Sequence, residues 1–482
     1  METLKVRTIR AFSWGFVQEL SRRILQFGIS IWLARILAPE AFGLVAMVGV
    51  IIEVARALLD SGFGSALVQR RQITEVDLSS VFYFNVLISV LLAALLWLAA
   101  PAIATFYNQP LLKALLRAFT LVLVINGFAV VQDALLIRHL DFKRQAIILT
   151  VSVGTSGVLG LTLAWRGFEV WSLVVQQIAN SLIRTGMLWK VNAWRPKYVF
   201  SIKALREMFG FGSRMAAATL LATTSESMMP LILAKLFSIV QLGYYNRAQS
   251  LQYLTTESIS GVISRVTFPV FSELQNQIGR LRSALRKGIT TAAFVQFPIM
   301  IGLICVAKPL VLVMLTQKWV PCVPYLQVLC LAGLLFPAHV LNLNVLVAAG
   351  RSGIMLRLEV IKRILLVMTI VATFHWGIMA MIWGLVFHSV GAYFINSYYT
   401  KRLIGYSIPD QLRDLYPYLI ASALMGAGMV TVGSFLPTGS VAQLLGQAGF
   451  GAFAYLLICW ATRLEALGEL LGIIWPRPAA AV

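Results

Sequence analysis

Glu19, Arg22, Arg23 and Gln26 fall at i, i+3, i+4 and i+7, a spacing that puts all four on one helical face, and Ser30 continues it. Glu53, Arg56 and Asp60 form a second such face. Later in the chain come Arg214, Thr219, Thr223 and Glu226, then Arg247, Ser250 and Glu257. The chemistry open to these groups is limited. A guanidinium is planar, always charged and multiply donating, which suits phosphate oxygens. A carboxylate can carry a proton or hold Na⁺. Arg22, Arg23, Arg56, Arg214, Arg247 and Gln26 are therefore the candidates for binding an anionic cargo. Glu19, Glu53, Asp60, Glu226 and Glu257 are the candidates for coupling to H⁺ or Na⁺.

A purely structural reading competes with this one. Glu19 with Arg22 or Arg23, Glu53 with Arg56, and Arg56 with Asp60 are spaced to neutralise each other along a helix. Arg214 and Arg247 lie nearer the ends of their apolar segments, from which a long side chain can snorkel to the interface. Arg184 is a further basic group inside an apolar segment, and Asp133 reads as interfacial.

The elements that must position these groups are transmembrane helices. The chain has 482 residues, 59% of them hydrophobic and only 12% charged, with a mean hydropathy of +0.82. Soluble domains are roughly a quarter charged. The hydrophobicity excludes a disordered chain, and four Cys in this length exclude a disulfide scaffold. Lipid cannot satisfy bare backbone polar groups, so each crossing needs a helix of about 20 apolar residues. Fourteen segments qualify, at 11–37, 42–66, 78–104, 112–137, 142–165, 168–191, 208–236, 242–268, 288–315, 322–348, 354–376, 378–401, 415–436 and 441–462. Spans three, five and nine to fourteen read as nearly free of charge in their middles. Pro230, Pro298 and Pro337 fall inside spans, as hinges or static kinks.

With the N-terminus in the cytoplasm, 27 of the 40 Lys and Arg fall on that side and seven on the other, with six inside spans. This asymmetry predicts that both termini are cytoplasmic. It accounts for the net charge of +21 as topology and attraction to anionic lipid rather than nucleic-acid binding. The first span is expected to act as an uncleaved signal anchor. Cys305, Cys322, Cys330 and Cys459 show no metal-ligand spacing, and the four His show no HExxH pairing. No GxxxxGK[ST] phosphate loop is present.

The sequence predicts an all-α integral membrane protein of about fourteen transmembrane helices. Residues 1–192 form one six-helix lobe, 193–207 a cytoplasmic connector, 208–402 a second lobe and 403–482 two additional helices with the cytoplasmic C-terminus. An internal echo supports the repeat: LARILAPEAFG begins at Leu33 and LAKLFSIVQLG at Leu233, aligning Leu33 with Leu233, Ala34 with Ala234, Arg35 with Lys235 and Gly43 with Gly243. Two six-span lobes entering in the same sense make a parallel repeat around a central cavity, a transporter arrangement. Helices 1, 2, 7 and 8, which carry the charges, are expected to line it.

Four stretches carry a family resemblance: LARILAPEAFGLVAMVGVI from Leu33, DSGFGSALVQRR ending at Arg71, GVISRVTFPVFSELQ from Gly261 and QKWVPCVPYLQVLCLAG from Gln317. They resemble the Wzx-type polysaccharide repeat-unit flippases of the colanic-acid exporter group, in the multidrug/oligosaccharidyl-lipid/polysaccharide exporter superfamily. The last two spans fit the fourteen-helix plan of the lipid II flippase relatives. The resemblance implies alternating-access transport of an undecaprenyl-pyrophosphate-linked oligosaccharide across a bacterial inner membrane, coupled to an ion gradient or the membrane potential. It implies no enzymatic step and no cofactor, with a polysaccharide polymerase and a chain-length protein as partners. Two other readings are an ion-coupled drug or metabolite exporter of the same superfamily and a membrane-embedded glycan enzyme.

Overall fold

The computed structural model describes residues 21–59, 62–70 and 72–468. Glu19 and Asp60 lie outside them, as does the side chain of Arg214. The described residues are helical throughout, without a strand. The helices are α1 (21–36), α2 (Pro39–Leu59), α3 (Phe63–Gln69), α4 (Glu75–Phe106), α5 (Pro110–Gly127) and α6 (Val130–Arg138). They continue with α7 (Phe142–Trp165), α8 (Glu169–Val191), α9 (Ile202–Leu236), α10 (Ile239–Glu273), α11 (Ile278–Met314) and α12 (Val323–Gly333). The last are α13 (Phe336–Ala348), α14 (Ser352–Thr373), α15 (Ile378–Ile404), α16 (Ile408–Ser434) and α17 (Val441–Ala461).

Every expected span overlaps a helical segment, but among the described residues ten helices are long and apolar enough to cross a membrane by length and composition alone. Of the rest, α8, α10 and α14 carry several charged or amide side chains, which lower their hydropathy. The chain is a multi-pass membrane protein. Its spans are bounded by ordinary capping chemistry. Thr74 and Asp77 form a reciprocal capping box at the start of α4, with N···O distances of 2.9 and 3.2 Å. Ser407 and Asp410 do the same for α16. Gly405, at φ +68°, ends α15 in the left-handed conformation that favours glycine. Among the described residues the fourth span is broken between α5 and α6 and the tenth between α12 and α13, and the second divides between α2 and α3. Pro337 therefore stands in the first turn of α13 and kinks nothing, whereas Pro230 and Pro298 lie within α9 and α11.

Two compact units divide at Gly243 and Tyr244. The segment expected as a connector, 193–207, lies within the first of them. In the first unit α9 begins at Ile202, with the Ser201 hydroxyl accepting from the Ala204 N–H, and packs against α2, α3 and α4. The segment before it is pinned to α4: the Lys197 and Ser201 N–H groups donate to the Ser79 and Ser80 hydroxyls at 3.1 and 2.9 Å. The two copies of the echo meet in this unit. A Cβ on Gly43 would overlap the carbonyl oxygen of Ile239, and a Cβ on Gly243 would overlap that of Pro39. Pro39 and Ile239 are themselves equivalent in the echo, so the crossing is reciprocal. Leu33, Ala34, Leu233 and Ala234 are all buried beside it.

In the second unit α11 is the centre, packed by α12, α13, α15, α16 and α17. The last two helices are thus part of this unit. On one end they are clasped to α11 by Arg286, whose Nε lies 3.1 Å from both Asp414 oxygens and whose Nη2 lies 3.3 Å from Glu465. Deeper, the Gln411 and Asn342 amides donate to each other at 3.1 and 3.0 Å, and the Tyr393 and Ser397 hydroxyls add to the Gln411 oxygen. All four residues are fully buried, and mutual pairing is what makes that burial tolerable. The four thiols are free; Cys322, Cys330 and Cys459 are buried and Cys305 is half-buried.

Candidate functional site

The first unit holds a half-open cavity of about 530 Å³, walled by α2, α3, α5, α6, α8 and α9. Among the described residues its polar lining is Arg56, Ser65, Gln69, Asn126, Asp133, Arg184 and Thr219. The local sequence explains how these converge. The α5–α6 break follows Gly127, where a side chain would overlap the Ser89 hydroxyl of α4, and the redirected chain carries Asp133 into the cavity. The wall contributed by α9 can come close because Gly62, at φ +68°, presses on the backbone of Gly212. Arg138, at the end of α6, donates to the carbonyls of Leu67 and Arg70 at 2.9 and 2.5 Å, capping α3 and fixing the floor. Arg70 in turn bridges Asp77 at 3.4 Å and Glu207 at 2.8 Å, tying α3 to α4 and α9.

Within the cavity Arg184 and Asp133 form an ion pair, both about one-fifth exposed. Arg56 makes no ion pair or hydrogen bond with any described residue and is exposed to the cavity. Among the described lining residues, two guanidinium groups stand against one carboxylate, a surplus positive charge in a partly dehydrated space, next to the neutral donors of Asn126 and Thr219. Such a site can accept the oxygens of a phosphate, with Arg56 free to swing onto them.

The other candidate residues have different settings. Glu53 is exposed on α2 and is not paired with Arg56, so the neutralisation that their spacing permits does not occur. The Arg22 guanidinium donates to Gln26 at 2.8 Å, so these two do share a face. Arg23 is half-buried, and Glu226 and Glu257 are exposed. Arg247 is 4% exposed in the second unit, its guanidinium 5.4 Å from the Trp319 ring centroid, which also packs edge-on to Tyr244. Arg247 thus packs its guanidinium against an aromatic ring in a buried setting.

Two features escape the sequence reading. Asp133 is the ion-pair partner of Arg184, a pairing that its reading as interfacial did not include; the signal was a basic group in one span and an acidic one two spans earlier, near the same membrane face. The second is α14, expected to have an apolar middle: it carries Glu359, Lys362 and Arg363 near its midpoint. These charges are i, i+3 and i+4 neighbours, the same spacing that marked the other faces.

The family model described as "Polysaccharide biosynthesis protein" matches residues 32–324. The succinoglycan biosynthesis transport protein ExoT of Rhizobium meliloti strain 1021 is 25% identical, over 99% of this chain and 98% of its own. The lipopolysaccharide biosynthesis protein WzxC of Escherichia coli K12 is 26% identical, over 77% of this chain and 75% of its own. In fold the chain is similar to the lipid II flippase MurJ in an inward closed conformation, with a TM-score of 0.77, 14% identity and coverage of 96% and 99%.

Proposed function

The chain belongs to the polysaccharide biosynthesis protein family, and from that membership we propose that it is a flippase for an undecaprenyl-pyrophosphate-linked oligosaccharide repeat unit. It carries the unit from the cytoplasmic to the outer leaflet of a bacterial inner membrane, for exopolysaccharide, capsule or O-antigen synthesis, by alternating access and without covalent chemistry. The observation that carries this reading is the cavity in which Arg56, unpaired among the described residues, stands beside the Arg184–Asp133 pair.

The charge asymmetry along the chain supports cytoplasmic termini. In that orientation the cavity lies toward the cytoplasmic ends of α2, α6 and α8, where a lipid-linked sugar made in the cytoplasm would arrive. Arg56 takes the pyrophosphate, and Arg184 is held by Asp133 until phosphate oxygens compete for it. Asn126 and Thr219 offer hydrogen bonds to sugar hydroxyls, while the polyprenyl tail stays in the bilayer. Arg22, Arg23 and Gln26 on α1 are further head-group contacts, and a polymerase and a chain-length protein receive the product. Transport is coupled to a gradient of H⁺ or Na⁺.

The test is genetic and chemical. Replacing Arg56 and Arg184 together by Gln is expected to leave the protein in the membrane at normal abundance and to make lipid-linked repeat units accumulate in the cytoplasmic leaflet. Each lost charge-assisted hydrogen bond weakens head-group binding by about 10- to 100-fold. Normal polymer export from a well-expressed double variant contradicts the reading.

A further inference from the structure

Lys113, Arg117 and Leu121 repeat at i, i+4 and i+8 along one stripe of α5. Leu121 is exposed, as are Leu95 and Leu98 on α4, the helix against which α5 packs most closely. Both helices are long and apolar enough to cross a membrane, so the apolar side chains open on this surface face lipid. The cavity lies elsewhere. Asn126, which lines it, follows Arg117 by nine residues, and at about 3.6 residues per turn that puts it on the opposite side of α5.

Arg117 stands about 10 Å along α5 from Pro110. Its guanidinium carbon is 3.9 Å from the centroid of the Trp97 ring of α4, a cation–π contact that covers one face. Among the described residues its side chain has no ion pair and no hydrogen-bond acceptor, and its Nε is buried. Lys113, exposed and one turn nearer the tip of the α4–α5 hairpin, likewise has no partner among them. At the tip itself the cation of α9 is already engaged: Lys235 donates to the Phe106 carbonyl. The acids of α4, Glu75 and Asp77, are in its first turn at the far end, and α5 has none. The donors of an always-charged guanidinium need acceptors, and hydrocarbon supplies none.

We propose that Arg117, seated on Trp97, and Lys113 hold the phosphate of a phospholipid headgroup against the α4–α5 hairpin. The planar fork of Arg117 matches two phosphate oxygens, and the ring beneath it fixes the plane in which they are met. Both stems are long enough to snorkel toward the headgroup layer, with Lys113 as a second point charge nearer to it. Two cations without an acid between them favour an anionic headgroup such as phosphatidylglycerol. The site requires only that the chain sits in a bilayer, and it is separate from the cavity and from whatever cargo the cavity takes.

The experiment uses the purified full chain in dodecyl maltoside, a detergent without phosphate, with a photo-crosslinking phenylalanine analogue in place of Leu121. The probes are alkyne-tagged phosphatidylglycerol, diacylglycerol and undecaprenyl pyrophosphate, and the readout is the probe concentration that gives half-maximal adduct. For phosphatidylglycerol, Arg117→Gln is expected to raise that concentration by about tenfold or more. Lys113→Gln is expected to raise it by about two- to fivefold. Arg166→Gln, at an exposed cation of the α7–α8 turn, is expected to leave it unchanged. Diacylglycerol, which lacks the phosphate, is expected to respond to none of the three. Monodisperse elution checks the fold of each variant, and the exposed Lys113 keeps the test open if Arg117→Gln does not fold. Phosphatidylglycerol labelling unchanged in the folded variants, an equal loss for diacylglycerol, or a loss confined to undecaprenyl pyrophosphate overturns the proposal.

Discussion

Asp133 and Arg184 sit on different helices, so their ion pair both braces α6 against α8 and stores one guanidinium inside the cavity. These two roles separate experimentally. Asp133→Asn is expected to strand a partly buried guanidinium and to cost about 1–3 kcal/mol in denaturant unfolding in detergent. Arg184→Gln on that background is expected to recover most of the stability and none of the transport. A double variant as unstable as the sum of the singles would show that the pair is not coupled. At this scale much was legible in the sequence. Arg56, Arg184, Glu53 and the Arg22–Gln26 face stand out because charge inside an apolar run is rare. What escaped depends on tertiary approach: which acid meets Arg184, whether Glu53 meets Arg56, and that Arg247 packs against Trp319.

Among the elements, the reciprocal crossing at Gly43 and Gly243 has the sharpest steric requirement. Each glycine abuts a backbone carbonyl of the other copy of the echo, and a carbonyl cannot rotate out of the way as a side chain can. Gly43→Val and Gly243→Val are each expected to destabilise the first unit by about 1–3 kcal/mol, the usual cost of overpacking. The lost packing is read as earlier thermal unfolding and weaker cross-linking between cysteines placed at positions 39 and 239. Gly49→Val, at a position with open space around it, is the control and is expected to change neither. Helix positions could be read from the sequence because hydrophobic length is a one-dimensional property, and α7 matches its expected bounds. The breaks in the fourth and tenth spans could not, because hydrophobicity runs straight through them while the backbone turns. The charged middle of α14 was visible but was masked by the apolar residues around it.

In the molecule as a whole, the described lining of the cavity in the first unit carries surplus positive charge. The fold class, the parallel echo and the membrane setting follow from composition and spacing. The close backbone-to-backbone approach of Gly62 and Gly212, by which α9 packs in the first unit, is a feature that no hydropathy pattern records.

Movement of the lipid-linked sugar itself is the most direct test. In proteoliposomes containing the purified chain, labelled undecaprenyl-pyrophosphate oligosaccharide is placed in one leaflet, and its appearance in the other is followed with a membrane-impermeant glycosidase. Protein-dependent equilibration is expected, slowing by about tenfold or more in the Arg56→Gln, Arg184→Gln variant, matching the loss of at least one charge-assisted phosphate contact. Equal rates for the variant and the wild type, with both folded, contradict it.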